Sequence, residues 1–300
     1  MGVALGLGAA LSWGLADYFA AVASRSAGTL RVVLGFHLMA LVPLTVLVLA
    51  TNGLAGVSAA QVGVLALTGA VGWVSYLAFY GALAIGPISV LSPIVSGYAA
   101  VTVLLAVAFA SNRLSAAQAI SVAITIAGAM LASADIRTIA RVKLQRRAAL
   151  GFVLALCAMG LLGTFVFGVS YYRGQIGWLA PIFLARGFAA VFLLGHVLST
   201  RGSDRAAASV DPTASEGRLR RRRRLGVLIA LLALLDTGGY VFFNLGVGHA
   251  PAAIVAAASA PYAVVPIVMG VSLFAERPTR PQWLGVGLVV AGVIVLGAVS

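Results

Sequence analysis

The stretch YLAFYGALAIGPISVLSPIVSGYAAVTVLLAVAFASNRLSAAQAISVAITIAGAMLAS, Tyr76 to Ser133, is matched without a gap by YVFFNLGVGHAPAAIVAAASAPYAVVPIVMGVSLFAERPTRPQWLGVGLVVAGVIVLG, Tyr240 to Gly297. At a fixed offset of 164 residues Tyr76 falls on Tyr240, Phe79 on Phe243, Pro87 on Pro251, Tyr98 on Tyr262, Arg113 on Arg277, Gln118 on Gln282 and Gly128 on Gly292. Only 12 of the 58 columns are identical. The weight therefore lies on Pro, Tyr, Arg, Gln and Gly, which punctuate helices, rather than on Val and Ala, which match by composition. Each copy reads as three apolar helices joined by short turns. Such a unit cannot bury its faces alone, so the two copies are expected to pack on each other.

Working outward, Gly14 falls on Gly163, Gly28 on Gly177 and His37 on Arg186 at an offset of 149. The offset grows by 15 at one place, where Thr51 to Ala60 faces Thr200 to Arg224, so one loop insertion accounts for it. The chain thus divides into a first five-helix repeat, 1–134, a basic linker, 135–149, and a second five-helix repeat, 150–300. The spans read as Val3 to Val22, Arg31 to Ala50, Gln61 to Ala84, Ile88 to Ala110 with a kink at Pro93, and Ala116 to Ala134. In the second half they read as Leu150 to Ser170, Trp178 to Ser199, Leu225 to Val247, Ala252 to Phe274 bent at Pro261 and Pro266, and Pro281 to Val299. An odd number of helices per repeat inverts the second relative to the first, the plan of alternating-access carriers. The loop 200–224, rich in Ser, Ala and Arg without apolar periodicity, is expected to be disordered.

Composition fixes the class. The chain is 62% hydrophobic and 9% charged, with a mean hydropathy of +1.08, whereas a soluble domain carries about a quarter of its residues charged. The expectation is an all-α integral membrane protein with ten transmembrane helices, since hydrocarbon leaves the backbone no partner outside a helix or closed barrel and the apolar runs have helix length. The formal charge of +13 is read as basic cytoplasmic loops, not as a nucleic-acid surface. Of the 20 Lys and Arg residues, 17 lie in loops after odd-numbered helices and only Arg113 and Arg173 in loops after even-numbered ones. The positive-inside rule then puts the odd loops in the cytoplasm of a cell-membrane protein and both termini outside. Ala21-Val22-Ala23 looks like a signal-peptidase site, but no basic region precedes it and Asp17 interrupts the apolar run, so the helix is read as retained.

Charges inside spans carry the functional signal, because each costs about 2.5–3.5 kcal/mol at the bilayer centre on insertion scales. Three stand out, namely Asp17, Arg186 and Asp236. Asp236 is followed by Tyr240 and Phe243 at i+4 and i+7, and Trp13 stands one turn before Asp17. Arg186 suits a substrate carboxylate or a structural ion pair with either acid, and can serve only one closely. The expectation is that Asp236 exchanges a proton or binds a substrate cation while Asp17 supports the pathway. His37 is a weaker candidate at the position matching Arg186. Trp73, Tyr76 and Tyr80 mark one face of the third helix, and Tyr240, Asn244, Tyr98 and Tyr262 are expected to face the same cavity. Glu276 and Arg277 are read as a local ion pair at a helix end. The run Arg220 to Arg224 is read as topogenic, with binding of anionic lipid headgroups as the alternative.

The segment Phe274-Ala275-Glu276-Arg277-Pro278-Thr279-Arg280-Pro281-Gln282-Trp283-Leu284-Gly285, followed by Gly292-Val293, and Arg186 in the seventh helix resemble the EamA-type carriers of the drug/metabolite transporter superfamily. The resemblance runs over nearly the whole chain as two repeats. The first repeat departs from it with Asn112 where the second has Glu276 and His37 where the second has Arg186. It implies a secondary active transporter for a small metabolite or drug-like solute, proton- or gradient-coupled and working in efflux, with a small-molecule substrate and the lipid bilayer as its partners, no cofactor and no obligate protein partner. An embedded enzyme, or a channel or scaffold, is the alternative. The chain has no HExxH, GxSxG or GxxxxGK[ST], so zinc-protease, hydrolase-elbow and nucleotide-driven readings have no motif to rest on.

Overall fold

The structure, a computed structural model, describes residues 1–109, 115–133, 142–200, 215–249, 255 and 258–299. Among them every regular element is helical: α1 Gly2–Ala27, α2 Thr29–Thr51, α3 Ala59–Ile85, α4 Ile88–Ser96, α5 Tyr98–Phe109, α6 Ala116–Ser133, α7 Val142–Tyr171, α8 Arg173–Ile176, α9 Leu179–Thr200, α10 Ser215–Val247, a 3₁₀ turn Ala260–Ala263, α11 Val264–Leu273 and α12 Arg280–Val299. Seven spans are long and apolar enough to cross a membrane, one of them running through α4 and α5; three shorter apolar segments, Ala116–Gly128, Val264–Leu273 and Arg280–Val295, lie in α6, α11 and α12. Large apolar side chains such as Val42, Leu49, Leu67, Val191 and Leu234 are exposed, as lipid-facing surfaces require.

The repeat punctuation has local causes. Ser58 and Gln61 form a capping box at the start of α3, and Ser115 with Gln118 forms the same reciprocal pair at α6. Gln282 accepts the Thr279 N–H at 2.9 Å ahead of α12. The two matched glutamines therefore stop and start the chain by holding orphan N–H groups at helix N-termini.

Packing repeats as well. α1 lies along α10 as α7 lies along α3, α5 packs on α7 as the 3₁₀ turn packs on α1, α2 touches α9, and α6 lies along α12. Exchanging the two halves maps these pairs onto one another. The correspondence reaches single atoms: a Cβ built on Gly14 would stand 2.8 Å from the Tyr262 carbonyl, and one on Gly163 2.8 Å from the Tyr98 carbonyl. Likewise Gly128 would meet the Gly285 carbonyl at 2.9 Å and Gly292 the Ser121 carbonyl at 3.0 Å. These glycines allow helix backbones to touch, where any side chain would push them apart.

Three expectations change. The fourth helix breaks at Gly97, not at Pro93: α4 continues through Pro93, then the Gly97 N–H turns to Ile94 O at 3.1 Å, at a position where an added Cβ would stand 2.8 Å from Met159 Sδ. α10 begins at Ser215, so the part of loop 200–224 expected to be disordered is helical from there; Arg is a good helix former and no breaker separates the run from the span. Residues 201–214 of that loop, Ala134 and residues 135–141 of the linker, Arg113 and Asn112 lie outside the described residues. Finally, the Pro261 bend is a 3₁₀ turn, while Pro266 sits in the first turn of α11, where a missing N–H costs no helix bond.

Candidate functional site

A cavity of about 430 Å³ lies between α1, α3, α5, α7, α10 and the 3₁₀ turn. It runs from Asp17 to the turn between α7 and α9, where Ser170, Arg173 and Trp178 line it and Ser170 is exposed. That is the end of the bundle carrying the N-terminus, since Gly2 and Leu5 approach Gly246 at the end of α10. Trp13, Asp17, Tyr76, Tyr80, Tyr98, Asp236, Tyr240, Asn244 and Tyr262 all border it.

The other sequence candidates stand behind its wall. Arg186 is fully buried and ion-paired through Nη2 to Asp236. Its guanidinium carbon lies 5.1 Å from the centre of the Phe36 ring and 5.2 Å from that of Tyr240, and Nη2 reaches the Tyr76 hydroxyl at 3.5 Å. His37 donates from Nδ1 to Val33 O at 2.8 Å and packs edge-on to Tyr76 at 5.1 Å. Trp73 stacks on Phe192 of α9 at 6.3 Å. It leaves the stripe with Tyr76 and Tyr80 because at its level α3 lies against α9, about 10 Å along the axis from Tyr80.

The two acids occupy unlike surroundings. Asp236 has Arg186, whereas Asp17 receives a hydrogen bond from Ser92 Oγ of α4 and forms no ion pair among the described residues. Between them Trp13 donates its indole N–H to Asp236 O at 3.2 Å. Tyr240 and Tyr262 stand at 76° and 77° to that indole, with centroids 5.4 and 6.3 Å away.

The end opposite the mouth is closed. All nine residues of α4 are buried, and its N-terminus is held by Glu276, whose carboxylate accepts the N–H groups of Ile88 at 2.9 Å and Ser89 at 2.8 Å. The expected Glu276–Arg277 pair is replaced by one with Arg25, at 3.5 Å. Arg25 also donates to Leu83 O at 3.0 Å and Gly86 O at 2.7 Å and covers the Phe274 ring at 4.3 Å. One carboxylate and one guanidinium thus join the ends of α1, α3, α4 and α11, each complementing a helix terminus. Ala275 makes this possible by taking the left-handed conformation, φ 52°, so that the Glu276 N–H returns to Gly270 O at 3.1 Å. Adjacency of charges along the chain carries no sign of a partner 251 residues away.

The family model described as EamA-like transporter family matches residues 1–134 and 149–298. The chain belongs to that family. It is accordingly a multi-pass membrane protein of the drug/metabolite transporter superfamily, with a small-molecule substrate and a lipid environment. A solved structure described only as the crystal structure of a protein is similar to this EamA-like chain over 98% of its length and 95% of that chain, at a TM-score of 0.54 and 17% identity; the likeness concerns the fold alone. No curated protein matches this EamA-like chain.

Proposed function

We propose that this chain is a secondary active carrier that moves a small metabolite or drug-like solute outward across the cell membrane by alternating access, through ten helices in two inverted five-helix repeats. The observation that carries the reading is a central cavity open at one end of the bundle and closed at the other by a buried half-helix, α4. A channel needs a path through both ends; a carrier needs one end closed at a time. The closed end bears Arg25, Arg31, Arg146, Arg147, Arg277 and Arg280, which the positive-inside rule supports as the cytoplasmic side. The cavity in this arrangement then faces outward, with both termini outside. Opening to the cytoplasm requires α4 to leave Glu276 and Asp17, and Arg25 to release the Leu83 and Gly86 carbonyls.

The exchangeable charge in this reading is Asp17 rather than Asp236. Arg186 already neutralises Asp236, and a buried carboxylate without a cation must be neutralised by a proton or by substrate, because hydrocarbon does not solvate it. The test is counterflow in proteoliposomes of full-length protein with labelled amino acids, nucleosides and cationic drugs. Uptake of at least one compound that saturates and is accelerated by the same compound inside is expected. Non-saturating leakage, or none for any compound, overturns the carrier reading. Inside-out against right-side-out vesicles, with and without a proton gradient, test direction and coupling.

A further inference from the structure

We infer that the cavity accepts a monovalent organic cation with a flat aromatic body, its charge at Asp17 and its body beside Trp13; this rests on the carrier reading for the same cavity. Three observations converge on that class.

The first is charge. Of the charged side chains bordering the cavity among the described residues, Asp236 is paired with Arg186, which leaves Asp17 and Arg173. They are far apart. Asp17 lies 15 residues into α1 from Gly2, about 22 Å along the helix from the open end, while Arg173 begins α8, two residues past the last residue of α7 at that end. No amino-acid zwitterion spans such a distance, and Arg173 stands at the rim where water and salt screen it. The deep part of the cavity is therefore anionic.

The second is hydrogen-bond polarity. Ser96 Oγ donates to Pro93 O at 2.6 Å, Thr102 Oγ1 to Tyr98 O and Gly163 O at 3.0 Å each, and Ser170 Oγ to Phe167 O at 3.0 Å. The Trp13 N–H is committed to Asp236 O. Asn244 gives its amide N–H to Tyr240 O at 2.7 Å and keeps a buried Oδ1 without a partner. With their protons engaged on the backbone, the Ser96, Thr102 and Ser170 hydroxyls, and the Asn244 Oδ1, offer lone pairs to the cavity. These four acceptors suit a donor or a cation.

The third is aromatic placement. Trp13 precedes Asp17 by one helical turn on the same face, and Tyr240 and Tyr262 stand nearly perpendicular to its indole. A cation at Asp17 lies one turn from the Trp13 ring, against which Tyr240 and Tyr262 pack; aromatic faces attract positive charge and their area buries an apolar body.

One scaffold in several charge states tests this on purified full-length protein by isothermal titration: tryptamine (cation), tryptophan (zwitterion) and indole-3-acetate (anion). Tryptamine is expected to bind at least about tenfold more tightly than the other two. Asp17→Asn should weaken tryptamine about thirtyfold, and Asp17→Glu should restore most of the loss. Tryptophan or indole-3-acetate binding as tightly as tryptamine overturns the inference, as does unchanged tryptamine affinity in Asp17→Asn. The wild-type charge series decides alone if that variant does not fold. Tryptamine binding that depends on Asp17, in a protein that carries no compound in counterflow, leaves the cation site standing and removes the carrier reading. Saturable counterflow of tryptophan or indole-3-acetate with no tryptamine binding does the reverse.

Discussion

The two halves of the chain share a scaffold and differ in their charges. Gly14 and Gly163 meet matched carbonyls at the same 2.8 Å, and Gln118 and Gln282 both accept a helix N-terminal N–H. Yet Asp17 matches Val166, Asp236 matches Gly72, Arg186 matches His37 and Glu276 matches Asn112. Packing can be duplicated because it depends on shape. A charge in a membrane interior serves one place and one partner, so duplication would double its cost. The halves therefore supply a symmetric frame around an asymmetric site: one acid neutralised by an arginine, the other left to the cavity, and one latch at one end.

The largest effect is expected at the neutralised acid. Arg186→Leu leaves Asp236 without a cation and should lower stability by about 3–5 kcal/mol, read as a fall in the melting temperature of the purified protein. Adding Asp236→Leu should recover much of that loss, since removing both charges leaves no orphan. Equal stability of Arg186→Leu and wild type would show that the two acids are not distinguished by this pair.

Next in size are the matched glycines. Gly14→Ala and Gly163→Ala each force a methyl against a carbonyl and a valine, at a cost of about 1–3 kcal/mol. Similar melting shifts at the two sites would sharpen the shared-scaffold half of the comparison; a large shift at one and none at the other would break it.

This division also explains what the sequence made legible. Helix positions, the capping glutamines and the cavity-facing tyrosines follow local rules of period and punctuation, and they repeat. Which aspartate takes Arg186 does not follow from spacing, because both acids lie on helices that reach the same cavity. Arg25 and Glu276 meet only after the halves pack, whereas adjacency along the chain points to Arg277. Trp73 obeys the same period as Tyr76 and Tyr80 but leaves the cavity where α3 crosses onto α9, a matter of helix arrangement that periodicity does not encode.

The latch supplies a smaller test. Ala275 holds φ 52° at the position after a helix where glycine is the usual residue, and a Cβ there costs about 1 kcal/mol. Ala275→Gly should raise stability by about that amount while keeping Glu276 under α4. Glu276→Gln should loosen the closed end, so that a cysteine placed at Ser89, in a Cys157→Ala background, reacts faster with a membrane-impermeant maleimide added from the cytoplasmic side. Unchanged labelling would remove the latch from the transport cycle.

The smallest effect on stability and the largest on transport are expected to fall on one residue. Asp17 has no cation to orphan, and Asn is of similar size and can accept the Ser92 hydroxyl in its place, so Asp17→Asn should shift the unfolding free energy by about 0.5 kcal/mol or less. Accumulation against a gradient should nevertheless be lost, because an amide neither takes up a proton nor neutralises a cation. Asp236→Asn should show the opposite pattern, with an orphaned Arg186, a large stability loss and transport reduced in proportion to folded protein in the membrane. Measuring melting temperature and accumulation for both variants at equal reconstituted protein separates the two roles. If Asp236→Asn folds normally and loses coupling while Asp17→Asn transports like wild type, the exchangeable charge belongs to Asp236, and the Arg186 pair must open during the cycle.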